Sequence, residues 1–591
     1  MTIYDAPVQH SLFALSAVLS EQRWGSYPAD DVLESILSEA GRFAAQELHP
    51  LNAVGDREGC RLTPDGRVCT PTGFKAAFAK FADGGWTTLA GPEEYGGQEM
   101  ANTIGAALQE YWVSANMGFA QYYILTHSAV ATLNAAGSVA QKQLYLPHLV
   151  SGKWTGAMSL TEPHCGTDLG LIKTKAVVNT DGTYRIAGTK IFISAGDQDL
   201  TENIVHLVLA RIEGAPAGVA GLSLFIVPKM LTDDNGRMIS KNGISCTALE
   251  HKMGIRASAT CMLYFESATG YLVGEENKGL ASMFLMMNET RLTTGVQGVA
   301  MAEIAYQNAL CYALDRRQGR SAKGAIDTQA PADRIIVHPD VRRMLMDMRA
   351  FTESARALAF WTAALADRAR HDPSLEEKQK SAALLGLMTP IVKAYLTDIC
   401  LARTIDAQQI YGGHGYITDY GMEQFVRDAR ISQIYEGTNG IQAMDLIGRK
   451  FVKDGGRTLS MYLSILRADC DMMPADSQAD VLRSRLNSAV IDLEQSADYL
   501  LRSETGIDDY GSVAHDFLHL IGTVALGHMW VKLATAALLR KRTEPENLDF
   551  FDNRIKIARY FAERSLPETR VRRARIEAGG AANMALSDEG F

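Results

Sequence analysis

The chain has 591 residues, of which 47% are hydrophobic and 21% charged, a composition that buries large cores in about two to four domains. Its formal net charge of -10 argues against a nucleic-acid or anionic-membrane surface as its main business. The eight cysteines are scattered without a C-x-x-C pair, so a reduced intracellular chain with no metal site is expected.

The start Met1-Thr2-Ile3-Tyr4-Asp5-Ala6-Pro7 has neither a basic cluster nor an apolar run, so no secretory signal is read and a cytoplasmic location is expected. From about 30 to 150 the pattern is helical, with apolar residues at helical spacing over Asp31 to Leu37 and Phe74 to Phe81 and a loop at Pro92 and Gly96-Gly97. From about 155 to 268 it changes to short β-branched runs bounded by turns. These are Lys175 to Val178, Tyr184 to Ile186, Lys190 to Ile193, Ile204 to Leu209, Gly221 to Val227 and Cys261 to Phe265. Many strands without intervening helices predict a small β-barrel or sandwich.

The helical period returns over Leu280 to Arg316, Pro339 to Arg370 and Leu375 to Tyr411, which predicts an antiparallel bundle. Ser321 to Asp333 reads as an excursion loop or linker, and Pro390 is expected to bend or interrupt the third helix. Further helices are expected at Val481 to Arg502, His515 to Lys541 and Asn553 to Arg564. The most apolar stretch, Phe517 to Leu539, is interrupted by His519, His528 and Lys532, so it reads as a buried helix rather than an integral membrane segment. The fold class is therefore mainly α with a central β domain. The expected divisions are 1–34 (extension), 35–154 (helical), 155–279 (β), 280–452 (helical bundle) and 453–591 (additional helical domain).

Glu436 stands between Tyr435 and Gly437-Thr438, just after a helical stretch. Taken alone it reads as a helix-end carboxylate before a glycine turn; it is also what a reaction needs if a base must remove a carbon-bound proton. Gly295-x-x-Gly298 and Gly412-x-x-Gly415 follow no strand of a βαβ unit, so no nicotinamide site is read.

The order of helical, β and helical regions resembles the acyl-CoA dehydrogenase family from about 35 to 450. The resemblance is carried by Leu160-Thr161-Glu162-Pro163-His164-Cys165-Gly166-Thr167-Asp168, Gly188-Thr189-Lys190-Ile191-Phe192-Ile193-Ser194, Arg316-Arg317-Gln318, Gln409-Ile410-Tyr411-Gly412-Gly413 and Tyr435-Glu436-Gly437-Thr438. The start Tyr4-Asp5-Ala6-Pro7 and the long C-terminal extension look like the large, C-terminally extended subgroup of that family.

The resemblance implies an FAD-dependent α,β-dehydrogenation of an acyl-CoA thioester. The expected substrate is 3-(methylthio)propanoyl-CoA or a short- to medium-chain fatty acyl-CoA, with electrons passed to an electron-transfer flavoprotein. Glu436 stands at the position of the family's base, and burial beside an acyl chain is expected to raise its pKa. Met158, Leu160, Thr161, Phe192 and Ser194 match positions that touch the isoalloxazine, although tryptophan is often found where Phe192 stands. Arg316 and Gln318 match positions that hold the adenosine diphosphate of FAD across a subunit boundary from Gln409 and Gly413, which implies a homodimer or larger assembly; Thr438 is also a cofactor position. Gly319-Arg320 stands where many relatives have Phe-Gly. Thr167, Arg291 and Gly437 are expected to bind substrate, Thr167 replacing the commoner serine.

An oxygen-using acyl-CoA oxidase shares base and flavin and is the nearest alternative. A flavin-bearing DNA-associated protein on the same scaffold is the alternative of another class. Its basic surface would have to come from the run Arg570, Arg572, Arg573 and Arg575, which in this acidic chain reads as a solvated helix face or subunit contact.

Overall fold

The structure is a computed structural model describing residues 2–19, 23–502 and 506–591. The chain opens with α1 (Val8–Leu19), α2 (Asp30–Phe43), α3 (Pro50–Glu58), the hairpin β1 (Arg61–Leu62) and β2 (Val68–Cys69), α4 (Phe74–Asp83), α5 (Asn102–Ala136) and α6 (Val139–Val150). The hairpin falls in a region expected to be helical. Its turn is written in Thr63-Pro64-Asp65-Gly66, where the Thr63 hydroxyl meets Asp65 and Gly66 takes a φ of 79°. Tyr123 and His127 lie inside α5.

Nine strands follow: β3 (Trp154–Ser159), β4 (Lys175–Val178), β5 (Tyr184–Ser194), β6 (Asn203–Ile212), β7 (Leu222–Pro228), β8 (Met230–Thr232), β9 (Met238–Lys241), β10 (Ile244–Leu249) and β11 (Thr260–Val273). Pairings β11-β5, β5-β4, β4-β6, β6-β7 and β7-β11 close a ring, with β3 added beside β6 and β10 beside β11. The closed ring is the expected small barrel.

β6 shows why its run is apolar throughout. Ile204, Val208 and Ala210 join the core inside the barrel, whereas Val205, Leu207 and Leu209 join a second core with Leu146 and Leu149 of α6. A strand covered on both faces loses the polar half of its alternation.

The remaining helices are α7 (Gly279–Asp315), α8 (Pro339–His371), α9 (Leu375–Ile410), α10 (Met422–Arg430), α11 (Asn439–Met444), α12 (Arg457–Met472), α13 (Ser477–Leu500), α14 (Ile507–Arg540), α15 (Leu548–Arg564) and α16 (Glu568–Glu577). Two compact units divide the chain: Met1–Gly41, Asn102–Glu110 and Arg291–Phe591 form one, and Arg42–Ala101 with Tyr111–Thr290 form the other.

In the first unit α9 runs without a break through Pro390, against the expected interruption. The Thr389 hydroxyl donates to the Leu385 carbonyl at 2.7 Å, and burial of Leu387 to Leu396 on this helix holds the segment in place. The loop after α7 is organised around Asp333, whose carboxylate accepts the backbone N–H groups of Ser321 and Asp327 at 3.0 and 2.8 Å.

Two described helices, Leu375–Ile410 and Ile507–Arg540, are long and apolar enough to cross a membrane, and both are largely buried in protein. The three residues that interrupt the apolar stretch of α14 are each matched by a carboxylate. His519 meets Asp398 at 2.9 Å, while His528 and Lys532 share Asp469 at 2.7 and 2.9 Å. The basic run of α16 is partly paired and partly solvated: Arg572 and Arg575 pair with Asp516 and Arg573 pairs with Asp492, while Arg570 and Arg575 are exposed.

Candidate active site

In the first unit, Glu436 sits on a short bend between a 3₁₀ turn, Ile431–Gln433, and α11. Its φ is 58° and that of Gly437 is 82°, so the chain turns left-handed twice in succession. For a glutamate this conformation costs about 1 kcal/mol or more and persists only where the surroundings over-determine it.

Those surroundings are explicit. The Tyr435 hydroxyl bonds Gln297 of α7, Gln442 Nε2 donates to the Glu436 carbonyl at 3.2 Å, and Lys393 Nζ donates to the Gly437 carbonyl at 2.8 Å. Thr438 caps α11, its hydroxyl accepting from the Ile441 N–H at 3.3 Å.

Two cations lie close to this bend. Lys393 has no solvent exposure, and burial pushes its pKa down to about 7 against the pull of Glu436 and Asp398. Arg291 is buried, with its Nη1 3.9 Å from Asp445. Burial lowers its pKa, while Asp445 and Glu436 favour its charge. Its Nε has no hydrogen-bond partner among the described residues. A methyl group on Gly437 would come within 2.8 Å of Gln442 Nε2 and 3.8 Å of Arg291 Nη2, so glycine keeps this cradle open.

Arg316, Gln318, Gln409 and Gly413 are all exposed. They gather at one end of the bundle, because Tyr312 of α7 stacks on Tyr411 with ring centroids 4.0 Å apart and donates to or accepts from His414 Nδ1 at 2.8 Å. A Cβ at Gly413 would meet nothing within 4 Å, which leaves backbone free for a phosphate to approach. Arg317 is committed to the excursion loop through Asp327 at 2.8 Å.

In the second unit, Met158 lies on β3, paired with Leu207, and Leu160 and Thr161 follow it directly. The Thr161 carbonyl accepts the Ile191 N–H at 2.9 Å, and Lys190 Nζ bridges the Leu160 carbonyl and Glu162, both at 2.9 Å. Glu162 also accepts from Thr174. Phe192 and Ser194 end β5. The register slips between Cys261 and Leu263 opposite this segment, and Phe192 takes a φ of 57° with 59% of its surface exposed. The bulge turns an aromatic ring outward. An open apolar ring beside the half-buried Thr161 and Ser194 fits the face and polar edge of a flavin. Thr167 is exposed on the loop before β4.

The same unit holds a small cleft lined by Phe78, Tyr123, Thr126, His127 and Val130 among others. His127 Nε2 meets Glu289 at 2.7 Å. Burial disfavours its cation, but the carboxylate outweighs burial and raises the pKa.

Several supporting residues escaped sequence reasoning: Lys393, Asp398, Asn439, His519 and the pairing of Glu162 with Lys190. One signal was present, since Lys393 follows Ile391-Val392 on an otherwise apolar helix face.

Family profiles match nearly the whole chain: acyl-CoA dehydrogenase N-terminal domain over residues 30–153, middle domain over 157–268 and C-terminal domain over 277–451, then acetyl-CoA dehydrogenase C-terminal like over 463–587. The chain is 43% identical to 3-methylmercaptopropionyl-CoA dehydrogenase of Ruegeria pomeroyi, covering 97% of this chain and 98% of that one. It is 35% identical to a broad-specificity linear acyl-CoA dehydrogenase of Mycobacterium tuberculosis, over 96% of each chain. Among solved structures, an acyl-CoA dehydrogenase of Bacillus anthracis complexed with FAD shares the fold at TM-score 0.70 and 23% identity, covering 98% of this chain and 90% of that one. Taken with the helical, barrel and bundle architecture, these matches place the chain in the acyl-CoA dehydrogenase family, as an FAD-dependent oxidoreductase.

Proposed function

We propose that the chain oxidises 3-(methylthio)propanoyl-CoA, or a short- to medium-chain acyl-CoA of similar reach, to the trans-2-enoyl-CoA, with Glu436 as the base. The full-length likeness to the Ruegeria pomeroyi enzyme supports the substrate. The observation that carries the base is Glu436 itself: a carboxylate held left-handed on a bend whose neighbours are each fixed by a buried partner. FAD, when bound, supplies a hydride acceptor.

Glu436 takes the proton from the carbon beside the thioester carbonyl as the hydride leaves the next carbon, and the electrons left between them form the double bond. The thioester oxygen gathers negative charge in this step, and backbone N–H donation at Glu436 stabilises it. Arg291, Gly437 and Thr167 bind the CoA ester. Met158, Leu160, Thr161, Phe192 and Ser194 hold the isoalloxazine, while Arg316 and Gln318 hold the diphosphate with Gln409 and Gly413 of a second copy and Thr438 nearby. The protein is thus a cytoplasmic homodimer or larger and hands its electrons to an electron-transfer flavoprotein. The same reading divides the chain at residues 34, 154, 279 and 452.

The test is an anaerobic screen of acyl-CoA thioesters for flavin bleaching, run beside Glu436→Gln. Bleaching by 3-(methylthio)propanoyl-CoA that Glu436→Gln abolishes is the expected result; bleaching of the variant at the wild-type rate removes Glu436 as base. Fast reoxidation by air during turnover replaces the flavoprotein acceptor with oxygen.

A further inference from the structure

The bend that carries Glu436 is bounded by Gln433 and Asn439, and both side chains end on one carboxylate. Gln433 Nε2 and Asn439 Nδ2 each donate to Asp398 Oδ1 at 2.7 Å. Asp398 lies on α9, five residues beyond Lys393. Asn439 also donates to Thr397 Oγ1 at 3.0 Å, and its own Oδ1 accepts from Lys393 Nζ at 2.8 Å. Lys393 in turn holds the Gly437 carbonyl. The five residues between the two amides are therefore closed into a staple whose base is Asp398.

The second oxygen of that carboxylate belongs to the C-terminal extension. His519 of α14 places Nε2 2.9 Å from Asp398 Oδ2 and is buried. The helix reaches this point under close packing: Gly522, one turn later, would put a Cβ 2.3 Å from the Tyr395 ring, and the Tyr395 hydroxyl bonds Thr523 at 3.0 Å. The two amides restrain the carboxylate through one oxygen only, and a donor on the other oxygen adds a second restraint against its rotation. His519 supplies that restraint.

We propose that His519 is a positioning residue for the base: through Asp398 it fixes the amides of Gln433 and Asn439 and so keeps Glu436 in its left-handed conformation, giving the C-terminal extension an indirect part in proton abstraction. The inference rests on Glu436 as the base. His519 acts only through Asp398, so its removal should misplace the carboxylate without altering contacts to the CoA ester. Misplacement by a fraction of an ångström to about 1 Å lowers rates on the order of 10- to 100-fold.

The test uses the full-length flavin-loaded enzyme with His519→Ala, His519→Gln, Gln433→Leu and Glu436→Gln. His519→Ala and Gln433→Leu are expected to lower kcat about 10- to 100-fold with KM for the acyl-CoA near wild type. His519→Gln, which restores a donor to Oδ2, should recover most of the rate. Amide hydrogen exchange over residues 434–438 should quicken in His519→Ala and Gln433→Leu and return toward wild type in His519→Gln. Gln433→Leu, on a half-buried side chain, keeps the question open to measurement if His519→Ala misfolds. Wild-type kcat in both variants while Glu436→Gln is inactive overturns the staple, and so does a rise in KM parallel to the fall in kcat. An active Glu436→Gln instead overturns the choice of base.

Discussion

Arg356 and Glu110 meet in a forked contact between α8 and α5: Arg356 Nε lies 2.9 Å from one carboxylate oxygen and Nη2 2.6 Å from the other oxygen, with both side chains 1% exposed. Nη2 also reaches Glu303 of α7 at 2.9 Å. One guanidinium therefore joins three helices of the first unit, and burial makes its neutralisation complete or very costly. Glu110→Ala should destabilise the protein by about 3–5 kcal/mol, whereas replacing all three groups by apolar residues of similar volume should be nearly neutral. Midpoints of denaturant unfolding for the single and triple variants decide this; equal losses would show that packing, not charge pairing, sets the cost.

Lys190 supports the segment proposed to face the flavin, since it bonds both the Leu160 carbonyl and Glu162 at 2.9 Å from a fully buried position. Lys190→Met should leave a folded chain that holds FAD more weakly, by a factor on the order of 10, because the Leu160-Thr161 backbone loses its anchor. Equilibrium titration of the flavin-free protein with FAD measures this, and unchanged affinity would separate residues 160–161 from the cofactor.

Much of the architecture was legible because it repeats locally. The Ile204 to Leu209 run and the three long bundle helices carry their periods in consecutive residues, and a strand or helix buried on most sides must be apolar on most sides. The hairpin at Thr63 to Gly66 was hidden inside a helical region because two-residue strands are too short to show a period. The motifs around Glu436 and Phe192 stand out in the sequence, but the left-handed backbone of both residues does not, since neither residue type favours positive φ. The hold of His519 on Asp398 spans 121 positions. No local spacing encodes such a contact; only the fold brings the two together.

Asp333 gives the excursion loop an acid limit. Its carboxylate accepts the N–H groups of Asp327, Ser321 and Ile326 and faces Arg320, and these bonds, the Asp327 N–H foremost, lower its pKa to about 2. The folded value lies below the unfolded one, so its stabilising contribution is complete above about pH 4 and is lost as pH falls through 2. Limited proteolysis between residues 321 and 332 should therefore rise in strongly acidic buffer. Asp333→Asn, which cannot accept on both atoms, should show the same susceptibility already at neutral pH; protection equal to wild type would show that the loop is held by other contacts.

Gly522 sets two effects of opposite sign against each other. Alanine within a helix is favoured over glycine by about 1 kcal/mol, yet a Cβ here would lie 2.3 Å from Tyr395 Cγ. A ring packed between α9 and α14 cannot yield that distance by a side-chain rotation alone, and overpacking costs about 1–3 kcal/mol. Gly522→Ala should therefore lower the thermal midpoint. A raised midpoint would mean that α14 shifts easily against α9.

The backbone of Glu436 predicts a separation of stability from activity. With φ at 58° the glutamate carries a left-handed strain that glycine does not feel. Glu436→Gly should abolish flavin reduction by acyl-CoA and yet raise stability by up to about 1 kcal/mol, because relief of the strain outweighs the larger chain entropy of unfolded glycine. Glu436→Gln removes the base but keeps the Cβ and the strain, so it should lose activity without that gain. Unfolding midpoints of the two variants, compared under one buffer, isolate the backbone term. If both variants match wild type in stability, the left-handed bend is unstrained and the bonds from Gln442 and Lys393 follow the conformation rather than impose it. A gain confined to Glu436→Gly would identify the bend as a place where the fold gives up stability to hold a carboxylate in position.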